Sequence, residues 1–151
     1  MAIALSLHLL AAVLWVGGMF FAWMILRPVA ATLLEPPARL SLWLGVFRRF
    51  FPWVWGAIII LLATGFWMLF GVYGGMAGAG WHVHLMLITG LAMMAIFLHI
   101  WFAAYSRLGR AVIEEDWAVG AKQLGKIRQL IGLNMSLGLV TVAVASGGRF
   151  L

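Results

Sequence analysis

The sequence predicts an all-α fold, an integral membrane four-helix bundle, and three observations carry that expectation. Hydrophobic residues make up 66% of the 151 and charged residues only 9%, far from the balance of a water-soluble domain. The apolar residues fall into four runs, each able to supply the roughly 20 residues that a hydrocarbon core about 30 Å thick demands of a spanning helix. The segments between the runs are too short for a separate soluble domain, so residues 1–151 form a single transmembrane domain.

The first span covers residues 3–26. Arg27-Pro28 follows it, and proline's fixed φ and missing N–H are expected to end the helix there. No basic segment precedes this run and it is long for a signal sequence, so it is expected to stay in the chain. Residues 29–50, broken by Glu35-Pro36-Pro37 and carrying Arg39, Arg48 and Arg49, read as a connection with an amphipathic piece lying along the membrane interface. The second span, 51–73, carries Pro52 in its first turn, where a missing N–H costs little. A glycine-rich turn, Gly74 to Gly80, leads to the third span, 81–105. Residues 106–128 read as two solvated helix ends and a turn, and the fourth span is 129–146. No internal repeat is visible in the residue identities.

The formal charge of +6 does not describe a nucleic-acid surface, because the basic residues flank apolar spans instead of forming one solvated face. Nine of the ten basic residues fall on one side of a four-span topology and only Arg149 on the other. The positive-inside rule makes the first side cytoplasmic. The expected location is a bacterial-type inner membrane, multi-pass, with both termini and the glycine-rich turn outside.

The chain has no cysteine, which removes disulfides, thiolate metal sites and covalent haem attachment. Its four acidic residues all lie in the two cytoplasmic connections, so paired-carboxylate, hydrolytic and phosphoryl-transfer chemistry is not expected. Chemistry falls to histidine and methionine. His8 lies roughly 8 Å below the outer end of the first helix at 1.5 Å per residue. His82 and His84 open the third span, and antiparallel packing can bring either to the depth of His8. Side chains two residues apart point about 200° apart on a helix, so only one of the two faces the bundle. His84 is the choice, because His99, fifteen residues on, shares its broad face. Each histidine also has a plainer reading, a hydrogen bond to Asn134, Thr64, Thr89 or a backbone carbonyl.

Met19 and Met24 are the thioethers nearest the depth of His99, and the remaining methionines read as packing. Trp15 differs from the interfacial tryptophans in lying near the membrane centre, two turns after His8, where it is a candidate wall for a planar cofactor. Gly17-Gly18, Gly132, Ser136 and Gly138 mark close helix contacts or room for a ligand. Asn134 either joins two helices or lines a cavity.

Several short motifs carry a family likeness. Leu7-His8-Leu9-Leu10, Leu14-Trp15-Val16-Gly17-Gly18-Met19-Phe20 and Arg27-Pro28 resemble the first span of CopD-type copper-resistance membrane proteins and of HemJ-type protoporphyrinogen oxidases. The likeness continues through Trp81-His82-Val83-His84-Leu85, Leu98-His99, Tyr105-Ser106-Arg107-Leu108 and Lys126-Ile127-Arg128. The resemblance implies a haem b ligand at His8 and a basic residue closing the third span at Arg107. His84 stands where HemJ-type proteins usually carry a lysine, and it suits an axial or copper ligand better than a lysine's role.

The leading expectation is therefore a haem b-binding membrane redox protein, possessing His8 and His84 as axial ligands, one haem per chain, and a quinol, a porphyrin or a redox protein as partner. His99 is the candidate ligand of a second haem at the inner depth, with Met19 or Met24 opposite it, or it lines a substrate cavity near Arg107. The alternative is a copper-binding or copper-transport protein using His8, His82, His84 and Met19. A third possibility is a cofactor-free accessory subunit of a membrane complex. A homo-oligomer is left open.

Overall fold

The structure is a computed structural model and describes residues 1–148. Arg149, the basic residue assigned to the outer side, lies outside the described residues. Among those described, four helices are long and apolar enough to cross a membrane: α1 (Ala2–Leu33), α2 (Pro36–Gly71), α3 (Trp81–Ile113) and α4 (Trp117–Gly147). They alternate in direction, so Met1, the 74–80 turn and the end of α4 share one end of the bundle, here the glycine end. The 34–35 and 114–116 links share the other, the basic end. The expected all-α membrane bundle is what forms.

The helices are longer than the apolar runs. At 36 residues α2 reaches about 54 Å, well beyond a hydrocarbon core of about 30 Å. The 29–50 segment is therefore not a separate interfacial piece, since residues 36–50 continue straight into the second span. Its amphipathic pattern serves the bundle: Leu40, Trp43 and Phe47 are buried while Arg48 and Arg49 are exposed. Likewise α3 runs on to Ile113 and α4 starts at Trp117, leaving a three-residue link. Asp116 caps α4 by accepting a hydrogen bond from the Val119 N–H at 3.0 Å.

Nor does α1 stop at Arg27-Pro28. The helix widens into a π turn at Ala22–Leu26 and resumes as α-helix at Arg27–Leu33. The helix thus continues through Pro28 instead of ending there. At the glycine end the reversal needs two residues with positive φ, Gly74 at 71° and Gly75 at 99°, a backbone state open to glycine at little steric cost.

A repeat invisible in the identities emerges from burial. Trp15, Met19, Ala22 and Ala30 are matched 78 residues on by Met93, Phe97, Ile100 and Leu108, all buried. Leu40, Trp43, Phe47, Phe51, Val54 and Ile58 are matched 80 residues on by Gly120, Gln123, Ile127, Ile131, Asn134 and Gly138, again all buried. The second π turn, Ile100–Tyr105, stands where the first does. The bundle is thus two similar hairpins, α1–α2 and α3–α4, and within each the helices pack chiefly on one another.

The core is uneven along the bundle. From its middle to the basic end it is dense and aromatic: Phe47 stacks on Phe51 with centroids 4.9 Å apart, and Phe97 meets Phe51 edge-on at 5.4 Å. Toward the glycine end it thins. In the stretches 1–10, 59–80, 81–92 and 139–148, Leu69 and Gly148 are the only buried residues among those described.

Candidate functional site in the glycine-end half

His8 sits in this thinly packed half and faces α2. Gly65 makes room for its ring, since a Cβ built there would lie 3.3 Å from His8 Cε1. Next to it, His8 Nδ1 lies 2.8 Å from Thr64 Oγ1. The direction of that bond follows from proton accounting. The Thr64 hydroxyl has one proton and donates it to the Ile60 carbonyl at 2.6 Å. With that proton spent on Ile60, the oxygen can accept from His8, an arrangement in which the ring proton sits on Nδ1. In a neutral imidazole this leaves Nε2 as a free lone pair, and no described residue hydrogen-bonds it. A hydrogen bond to one ring nitrogen is the usual means of presenting the other to a metal.

The second hairpin has a polar cross-link of its own, with no such residue. Thr89 donates to the Leu85 carbonyl at 2.8 Å, and Thr141 shares its proton between Thr89 Oγ1 and the Leu137 carbonyl, each at 2.7 Å. Every hydroxyl proton there is used inside the protein.

His84 is half-buried on α3, while the side-chain hydrogen bond of His8 is to Thr64 on α2. His82 lies at the extreme glycine end beside Trp81, with its Cβ 2.8 Å from a Cβ built on Gly148. Met19, only 3% exposed, is a core residue. Trp15 is 2% exposed and meets Phe97 edge-on at 6.3 Å. His99 and Arg107 are both exposed and line one groove between α3 and α4 in the basic half. Among the described residues no three His, Asp or Glu side chains gather in a metal-sized cluster. Asn134 is 1% exposed and its Oδ1 has no hydrogen-bond partner.

The residue that reading the sequence for ligands passes over is Thr64, which surfaces only as a partner in the plain hydrogen-bond reading. Its signal was a hydroxyl followed by glycine within an apolar span. Met68, half-buried one turn further toward the glycine end, shares the face of Thr64.

Comparison with protein families gives a match to the family described as copper resistance protein D over residues 44–147. The matched segment takes in most of α2 and the whole of α3 and α4, and leaves α1 with His8 outside. No curated protein and no solved structure matches the chain.

Proposed function

The chain belongs to the copper resistance protein D family, and from that premise we propose that this multi-span membrane protein takes copper as its cargo in the glycine-end half, with His8 Nε2 as the anchoring ligand. The observation that carries the reading is the 2.8 Å approach of His8 Nδ1 to Thr64 Oγ1, whose own proton has the Ile60 carbonyl as acceptor at 2.6 Å, and on it rests the assignment of the His8 proton to Nδ1. Imidazole and thioether are the donors suited to Cu(I), and Met68, one turn from Thr64 on the same face, is the natural second ligand. His84 and His82, on the partner hairpin, are the donors an ion would meet next on its way in or out. The positive-inside rule orients the glycine end outward, across a bacterial-type inner membrane, so His8 faces the side from which copper arrives.

Copper suits this arrangement better than haem b does. What favours copper is the family match together with the soft thioether of Met68 one turn from Thr64 on the same helix. A single ion needs one free lone pair and a soft neighbour. Purified protein titrated with Cu(I) against a colorimetric chelator should take up one ion per chain, and His8→Ala should take up none. Full uptake by His8→Ala, or a red protein with a Soret band that His8→Ala abolishes, would defeat the copper reading.

A further inference from the structure

The groove that holds His99 and Arg107 has a volume of about 350 Å³, within the range of small-molecule sites. His99 and Arg107 of α3 form one wall, Gln123, Lys126 and Gln129 of α4 the other, with Ala104 among the small residues between them. No acidic side chain lines it, so its two cations have no counter-charge within the groove. Gln123 is 6% exposed and its Oε1 has no partner, an amide carbonyl taken out of water and left waiting for a donor.

The repeat shows that this chemistry is no by-product of the fold. At the equivalent positions of the first hairpin stand Phe21 for His99, Val29 for Arg107, Trp43 for Gln123 and Val46 for Lys126. Trp43 is buried against Phe47 there. At these positions the first hairpin carries apolar side chains, with Arg49 standing for Gln129, whereas the second carries two cations, an imidazole and a buried amide.

We propose that this groove binds the headgroup of an anionic phospholipid from the leaflet at the basic end. Arg107 and Lys126 hold the phosphodiester, and the Gln123 side chain, whose Oε1 is shielded from solvent, turns toward the groove to accept from a headgroup hydroxyl such as that of a glycerol. A lipid fits better than a soluble ester because Leu130 lines the groove and Phe102, on the same helix, is 70% exposed, so an acyl chain has apolar surface beside the site.

The test is lipid retention. Full-length protein extracted by mild detergent from vesicles of phosphatidylglycerol, phosphatidic acid and phosphatidylcholine is analysed by mass spectrometry for lipid kept per chain. Phosphatidylglycerol should be enriched over both others. Arg107→Gln with Lys126→Gln should lower that enrichment about twenty-five-fold, at roughly five-fold per charge. Arg110→Gln, which removes a neighbouring charge outside the groove, should leave it in place. Gln123→Leu should erase the preference for phosphatidylglycerol over phosphatidic acid. Gel filtration and far-UV circular dichroism check that the variants fold, and if the double variant does not, Lys126→Gln alone is read for its five-fold loss. Equal losses in the Arg110 and groove variants would overturn the proposal. So would displacement of the lipid by inorganic phosphate at constant ionic strength, which would make the ligand a soluble phosphate.

Discussion

The two hairpins solve the same problem in the glycine-end half with different residues. Each ties its helices together by one polar contact where the apolar core has thinned: His8 to Thr64 in the first, Thr89 to Thr141 in the second. Side-chain hydrogen bonds between membrane helices average about 0.6 kcal/mol, so as structural ties the two are of similar size. They differ in what is left over. The threonine pair consumes its protons internally, whereas the histidine contact leaves a ring nitrogen with a lone pair. A polar residue within a span marks function only if valence remains after its structural bonds are counted.

That comparison can be broken most severely at His8. His8→Ala should abolish copper uptake entirely, while the chain still elutes as a folded species on gel filtration, because the half-buried ring is not part of the dense core. Next in size is Thr64→Val, which keeps the shape but removes the acceptor that holds the Nδ1 proton. Copper affinity measured by chelator competition should fall about 10- to 100-fold, the usual effect of losing the partner behind a metal-binding histidine. Third is Gly138→Val. The equivalent residue of the first hairpin is Ile58, but a Cβ at Gly138 would lie 2.8 Å from Val16 Cγ2 and 3.1 Å from Met93 Cε. Overpacking at this crossing should cost about 1–3 kcal/mol in a denaturant titration and leave copper affinity per folded chain unchanged. Smallest is Thr141→Val, which removes the second cross-link. Its stability should move by less than about 1 kcal/mol and its copper uptake not at all. A loss of copper there as large as in Thr64→Val would mean that the two contacts are not different in kind.

Much of the architecture was legible because a bilayer demands long apolar runs, and all four were found. The helix ends were not, for a definite reason. Arg48 and Arg49 are charged on one side of a helix whose other side buries Trp43 and Phe47, so a span-length criterion cut the helix where its amphipathic half began. Pro28 looked like a terminus because the π turn ahead of it has no sequence signature. The repeat escaped notice because it conserves burial, not identity: Trp43 is matched by Gln123, Val54 by Asn134 and Ile58 by Gly138. At the site, His8 was recognisable as a polar residue in a costly place, yet depth matching suggested His84 across the bundle. Its hydrogen-bond partner, Thr64 on the adjoining helix, entered only through the plainer reading. Helical phase gives the direction of a side chain on its own helix but does not say which neighbouring helix lies in that direction.

The central claim is the state of one imidazole, and ¹⁵N-histidine NMR of the full chain in lipid reads it directly, with His8→Ala identifying the resonances. The account predicts that His8 is neutral with its proton on Nδ1, that Thr64→Val disturbs this tautomer, and that Cu(I) shifts the Nε2 signal. A His8 ring protonated on Nε2 or on both nitrogens, or an Nε2 signal that Cu(I) does not move, would contradict it.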